Sequence, residues 1–373
     1  MKFSIKKNII LDQLINVSKA ISPKNIIPIL NGIKFSLTDE GLKLVASNSD
    51  LTIESFISKD NIESIEATGE IIVQSKFILD IIKNMPTDII NFEVFDGLKI
   101  MIYSEKTQFN LNCLNSLDYP TIDIVDAKNH IDIKSSELKK LIKQTIFAIS
   151  TQESRPLLTG LNIKINGDVL ECVATDSYRL AKKVIKLDNP YDEAVDIVIP
   201  GRNINEFDHI ISDDDKNVEI HIVNNKLLFK YENILFLSNL LNGTYPNTSS
   251  FIPSEFKHLI TAKLSDYFAS IDRAALLASS KEKNIIKMEA KEDELCISSF
   301  SDEIGKVEDY IKVARNNNED ISISFSSKYM SDALKTIDAE DIVIKMNEDS
   351  KPIIIQAIDD DSLTQLILPI KTY

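Results

Sequence analysis

Lys76, Arg202 and Lys328 stand 126 residues apart in succession, and Lys83, His209 and Lys335 repeat that interval. They belong to three segments that align without gaps: IIVQSKFILDIIKNM (71–85), IVIPGRNINEFDHII (197–211) and ISFSSKYMSDALKTI (323–337). Ile78, Ile204 and Met330 share a further column, as do Asp80, Glu206 and Asp332. A cation that opens a helix in each of three copies is suited to holding phosphate oxygens. That contact is sequence-blind and weakens with salt.

Residues that could make or break bonds are harder to assemble. The four histidines, at 130, 209, 221 and 258, show neither HxxxH nor HExxH spacing, so the spacing supplies no zinc site. No GxxxxGK[ST] or GxGxxG motif is present to cradle a nucleotide. Asp213–Asp215 and Asp359–Asp361 offer oxygens to Mg²⁺, but consecutive acids in a strand or loop point different ways and read as solvated turns. Cys172 lies mid-strand without a partnered histidine. The expectation is a non-catalytic protein with no metal and no cofactor.

The elements that position the cations follow from the same repeat. LVASNSD (44–50) matches CVATDSY (172–178) and, more weakly, LCISSFS (295–301). Tyr119-Pro120 recurs as Tyr245-Pro246, behind Phe109, Leu111 and Leu114 in one copy and Leu235, Leu237 and Leu240 in the other. Three domains are therefore expected, at 1–126, 127–252 and 253–373, each large enough for its own core. Helices are expected at 6–24, 76–84, 134–150, 202–211, 263–283 and 328–337. In the third, Leu138, Leu141, Ile142, Thr145 and Ile149 form an apolar stripe, with Lys140 and Lys143 opposite and Lys139 on its flank. In the first, Ile10, Leu14, Val17 and Ile21 face inward, while Asn16 and Lys19 face out. Alternating segments such as 36–47, 164–175 and 288–299 read as strands, with Glu-Gly, Asn-Gly, Asp-Gly and Asn-Asn at hairpin positions. The fold class is α+β, with two helices per domain resting on antiparallel sheet.

Composition is that of an ordinary soluble chain, 43% hydrophobic and 27% charged. There is no apolar run long enough to span a bilayer and no h-region at the start, which predicts a cytoplasmic protein with no membrane partner. The three cysteines are odd in number and scattered, as buried free thiols in a reducing compartment would be. Heavy use of Ile, Asn and Lys points to an AT-rich genome. The net charge of −15 argues against nucleic acid until its distribution is considered. The six expected helices hold 17 Lys and Arg against 9 Asp and Glu, so the acid lies on strands and loops. Similar domains in tandem invite head-to-tail association, which closes into a ring when the rotation allows. A ring with basic helices inward would enclose a polyanion.

The opening MKFSI, the IPIL of Ile27–Leu30, VATDSYRLA (173–181) and the terminal LPIKTY (368–373) sit in this frame where one family places them. The chain resembles, over essentially its whole length, the bacterial β sliding clamps, the β subunit of the DNA polymerase III holoenzyme. The resemblance implies a homodimeric DNA-clamp ring that encircles double-stranded DNA without sequence preference and acts as a processivity factor in DNA replication. It places a DNA-contacting cation at Lys24, in the loop before IPIL; Lys19, Lys76, Lys83, Lys140, Lys143, Gln152, Arg202, Lys328 and Lys335 are the further candidates for phosphate contact. It also implies a cleft for a short linear motif carried by the replicative polymerase, the clamp loader, and repair and translesion polymerases. Arg155, Leu157, Leu158, Thr175, Tyr178, Arg179, Leu180, Pro246, Leu368, Pro369 and Ile370 match its lining. Tyr178 and Ser250 stand where the family often has His and Arg. Phe109, Leu111, Leu276 and Leu277 match its apolar subunit contact. The alternative is a repeat-built β-rich binding scaffold that never encloses DNA; a dimer near 84 kDa, twice the 42.0 kDa chain, separates the two.

Overall fold

The computed structural model describes residues 1–22, 25, 27–120, 126–278 and 284–371. Six helices are present among them: α1 (Lys7–Ser18), α2 (Ser75–Asn84), α3 (Ser135–Thr145), α4 (Gly201–Asp208), α5 (Leu264–Ala275) and α6 (Ser327–Leu334). Each begins within a residue of its expected start, and all but α2, which ends at Asn84 as expected, end sooner. In α3 the α-helical pattern stops at Thr145, whose hydroxyl donates to the Leu141 carbonyl, and a short 3₁₀ turn follows. No helix among the described residues is long and apolar enough to cross a membrane.

Every strand pairing among the described residues is antiparallel, as hairpin chemistry requires. Gly32–Thr38 turns back into Gly41–Ser47 with Thr38 opposite Gly41, and Gly41 takes φ 150°, open to glycine and disfavoured for other residues. Asn217–Val223 turns into Lys226–Tyr231 through Asn224 at φ 53°, a conformation asparagine tolerates. Asn166-Gly167 behaves otherwise. It lies inside one long strand, Gly160–Thr175, at a break in its register with Arg179–Pro200, with Gly167 at φ 61°.

The chain packs into two compact units, 1–136 with 206–240, and 137–205 with 241–373. These cut across the three sequence repeats, because strands pair across the repeat boundaries. In the first unit an eight-stranded sheet contains the pair Ile234–Asn239 and Leu51–Ser58, one strand from the second repeat and one from the first. In the second unit a seven-stranded sheet contains the pair Leu363–Ile367 and Arg179–Pro200, from the third repeat and the second. The last strand of one repeat thus docks on an earlier strand of the repeat before it, twice over.

The cores are apolar and closely fitted. In the first unit Phe3 stacks on Phe92 at 4.7 Å, and Phe207 stacks on Phe229 at 4.2 Å. In the second, Tyr267 and Ile271 of α5 and Met330 and Leu334 of α6 are buried with Ile286, Phe325 and Ile344 of the sheets. Two smaller clusters repeat each other: Leu30, Val45, Ile72 and Tyr119 in the first unit, and Leu158, Val173, Val198 and Tyr245 in the second.

Candidate peptide cleft and nucleic-acid surface

A tight turn builds one wall of an apolar cleft in the second unit. The Asp176 carboxylate accepts from the N–H groups of Tyr178 and Arg179 at 2.9 and 3.0 Å. The Thr175 hydroxyl donates to the Arg179 carbonyl at 2.6 Å and accepts from Ser177 N–H at 3.1 Å. Ser177 is held at φ 79°, and the turn leaves Tyr178 59% exposed. The Tyr178 carbonyl accepts from Leu368 N–H at 2.8 Å, which fixes the end of the last strand beside the turn.

The resulting cleft has a volume of about 830 Å³, within the range of small-ligand and peptide sites. The structure brings Arg155, Leu157, Leu158, Thr175, Tyr178, Arg179, Leu180, Pro246 and Leu368 to its walls. Pro369 and Ile370, expected there, are not among the lining residues. The Ile370 N–H donates to the Ser324 carbonyl at 2.7 Å, which ties the chain to the strand Ile321–Ser326 instead. Pro156, Phe251, Pro253, Pro352 and Leu366 complete the apolar lining and were missed. Leu366 faces Leu180 in the strand pairing, a long-range fact that no local pattern carries. Gly243, at φ 125°, lies so close to Leu157 that a Cβ would sit 3.0 Å from that side chain.

Arg179 is the most constrained cation of the site. Its guanidinium donates to Asp176 at 3.0 Å and to Asp332 of α6 at 2.8 Å, and its side chain is 11% exposed. It also lies over the rings of Tyr329 and Phe147, at 4.6 and 5.3 Å from their centroids. A planar cation held by two carboxylates and two rings has little freedom left.

The expected phosphate-contacting residues are distributed over helix faces. Lys76, Lys83, Lys143, Arg202, Lys328 and Lys335 are exposed, with no carboxylate within ion-pair distance among the described residues. Gln152 is exposed on a loop, with its N–H on the Ser150 hydroxyl at 3.0 Å. Lys140 pairs with Asp338 at 3.7 Å while remaining half exposed. Lys19 departs from the expected outward position: its side chain is only 19% exposed and lies 3.9 Å from Glu206. Lys24 lies outside the described residues.

The expected subunit-contact residues sit at edges. Phe109 and Leu111 lie on Thr107–Asn112, the last strand of a five-stranded sheet. Leu276 caps the C-terminus of α5 and is 80% exposed, with half-buried Leu277 next to it. Gly305–Lys312 is likewise an edge strand, and it carries exposed Tyr310, near exposed Phe300 and Ile304. An aromatic on the polar face of the alternation GKVEDYIK was the available signal.

The bond-making candidates are occupied structurally. Asp214 accepts from the Ser135 hydroxyl at 2.9 Å and Asp215 from Ser136 at 2.8 Å, which anchors the start of α3. Asp360 pairs with Lys183 at 3.5 Å. Cys172 is fully buried, and burial pushes its thiol far above the ordinary range, away from the nucleophilic thiolate. The histidine spacing misled in one respect: His130, Glu219 and His221 come together across two strands, with ligand atoms within 4.8 Å of one another.

Known proteins share this architecture throughout. Residues 1–123, 132–247 and 249–371 match the N-terminal, central and C-terminal domain models of the DNA polymerase III beta subunit. The beta sliding clamp of Bacillus subtilis (strain 168) is 41% identical, and that of Staphylococcus epidermidis 38%, each match covering both chains completely. The crystal structure of the DNA polymerase sliding clamp from Bacillus subtilis superposes with a TM-score of 0.97 over 100% of both chains. That of the DNA polymerase III beta chain from Streptococcus pneumoniae, 36% identical, gives 0.94, again over the whole of both. With three domain models matched in order and full-length relatives at this identity, the chain belongs to the family of the DNA polymerase III beta subunit, the bacterial sliding clamps.

Proposed function

We propose that this chain is a non-catalytic sliding clamp: two copies close head to tail around duplex DNA and tether the replicative polymerase to it. The observation that carries the reading is the repeated strand docking. Ile234–Asn239 pairs with Leu51–Ser58, and Leu363–Ile367 pairs with the start of Arg179–Pro200. In the frame of the repeat, the third pair joins Thr107–Asn112 to Gly305–Lys312, and each of these is an edge strand paired on one side only among the described residues. A second copy supplies the missing partner at each end, and two such junctions close a ring. Phe109, Leu111, Leu276, Leu277 and Tyr310 then leave water at the junction, which explains apolar side chains on exposed edges.

Domain boundaries near 126 and 252 follow from the sequence repeat. Closure makes escape from DNA slow without tight binding, so a few exposed lysines and Arg202 suffice as phosphate contacts. The cleft is read as the docking site for the linear motif of the polymerase, the clamp loader and the repair and translesion polymerases. An extended peptide needs apolar pockets and a few fixed polar groups, and the lining supplies both.

Sedimentation tests the reading directly. The wild-type protein should run near twice 42.0 kDa, and changing Leu276 and Leu277 together to glutamate should give monomers. An unaltered dimer in the variant, or a monomeric wild type at micromolar concentration, overturns the proposed junction.

A further inference from the structure

We propose that His130, Asp132, Glu219 and His221 form a binding site for a divalent transition-metal ion, with Zn²⁺ the best fit. Ile131–Lys134 is the four-residue edge strand of the eight-stranded sheet and pairs with Asn217–Val223, so that Asp132 lies opposite Glu219. Side chains two apart on a strand share a face, and Ile131 lies opposite Ile220, which places His130 across from His221. Two imidazoles and two carboxylates thus form a square on one face of a two-strand ladder. This is the donor set that zinc takes.

The distances suit a small ion. His221 Nε2 lies 3.0 Å from Glu219 Oε2, and His130 Nε2 lies 3.4 Å from Asp132 Oδ2. The two rings face each other at 5.1 Å. A tetrahedral shell with bonds of about 2.0–2.1 Å holds its ligand atoms roughly 3.3 Å apart; His130, Glu219 and His221 place theirs within 4.8 Å of one another, and Asp132 joins them through His130 once its side chain turns inward. His221 is 3% exposed and its Nδ1 has no partner among the described residues, so Nε2 is the nitrogen that faces the cluster.

The surroundings prepare the ligands. Asn217 donates to Asp132 Oδ1 at 2.7 Å, which leaves Oδ2 turned to His130, as outer-shell donors orient a ligating carboxylate. Lys230 stands opposite Glu219 on the next strand, but its ammonium is held by Asp126 at 2.6 Å. Glu219 therefore keeps its charge for a cation. Two carboxylates and two neutral imidazoles balance a divalent ion. Bound there, the ion bridges the edge strand to its neighbour and fastens the residues that lead directly into α3.

The full-length protein, stripped with chelator, is titrated with Zn²⁺ by calorimetry and with Co²⁺ by visible absorption. One ion per chain is expected at micromolar or tighter affinity, with the intense d–d bands of tetrahedral Co²⁺. His130→Ala, at an exposed position, should weaken binding at least tenfold while the fold persists by circular dichroism. His209→Ala should leave it unchanged. Zn²⁺ should slow amide exchange of residues 131–134 in the wild type and not in His130→Ala. No saturable binding, or equal binding by His130→Ala, shows that the cluster is only a stacked, hydrogen-bonded pair and overturns the site.

Discussion

Arg179 concentrates at one residue what the cleft requires. Its two carboxylate partners and two aromatic neighbours keep Leu180 and Tyr178 in place on either side along the chain. Arg179→Ala should lower unfolding free energy by about 2 kcal/mol in denaturant titrations, since it strands Asp176 and Asp332 with little solvent. It should also weaken a cleft-binding peptide at least tenfold. Arg179→Lys should not restore binding, because an ammonium cannot serve two carboxylates and two ring faces at once; full affinity in the lysine variant argues against this role. Asp214 offers a pH test. Desolvation raises its carboxyl, but hydrogen bonds from Ser135, Ser212 and the Lys216 backbone and side chain outweigh that and hold it at about 2. An ordinary aspartate titrates near 3.9, so the folded value is depressed. Its stabilisation is complete above roughly pH 4 and is lost as pH falls toward 2. Asp214→Asn should therefore be less stable than wild type at neutral pH, with the gap narrowing below roughly pH 4 in denaturant midpoints. A gap independent of pH refutes the linkage. The histidines mark the limit of reading at this scale: HxxxH spacing describes a helix face, whereas His130 and His221 meet only through strand register.

At the scale of the element, period and repeat carried most of the information. The stripe Leu138, Leu141 and Ile142 is buried in α3 and Lys140 and Lys143 are exposed, because 3.6-residue periodicity is a local property. Leu141→Ala should accordingly lower stability by about 3 kcal/mol, and Lys140→Ala by less than about 0.5 kcal/mol. Comparable losses from the two would mean that the helix face is misassigned. Helix ends were less legible, since α1 stops at Ser18 and the expected outward Lys19 turns instead toward Glu206. That contact depends on a residue far along the chain. The same holds for the cleft: the VATDSYRLA turn was visible in the sequence, but Leu366 reaches it through a strand pairing between repeats.

For the whole molecule, the net charge of −15 and the exposed helix cations describe different surfaces. Replacing Lys83, Lys143 and Arg202 with glutamine should shorten retention on circular DNA and flatten the dependence of log K on log salt, by up to about 0.9 per lost phosphate contact. The melting temperature should barely move, because exposed charges add little to stability. An unchanged salt slope in the triple variant means that these cations face away from DNA. The two compact units differ from the three sequence repeats for a reason that no single repeat reveals: the sheets are shared across repeat boundaries.

The twin clusters around Tyr119 and Tyr245 bear on how a cleft arises. Both repeats kept the same buried footing, Leu30, Val45 and Ile72 in one and Leu158, Val173 and Val198 in the other. Above it they parted ways, for the positions of Tyr178 and Leu180 are held in the first repeat by Asp50 and Thr52. Duplication supplied a spare chassis, and a few surface residues decided which copy would hold a guest. A compound shaped for the furnished copy meets Asp50 and Thr52 in its twin where it would need Tyr178 and Leu180, so its titration should end at one molecule per chain.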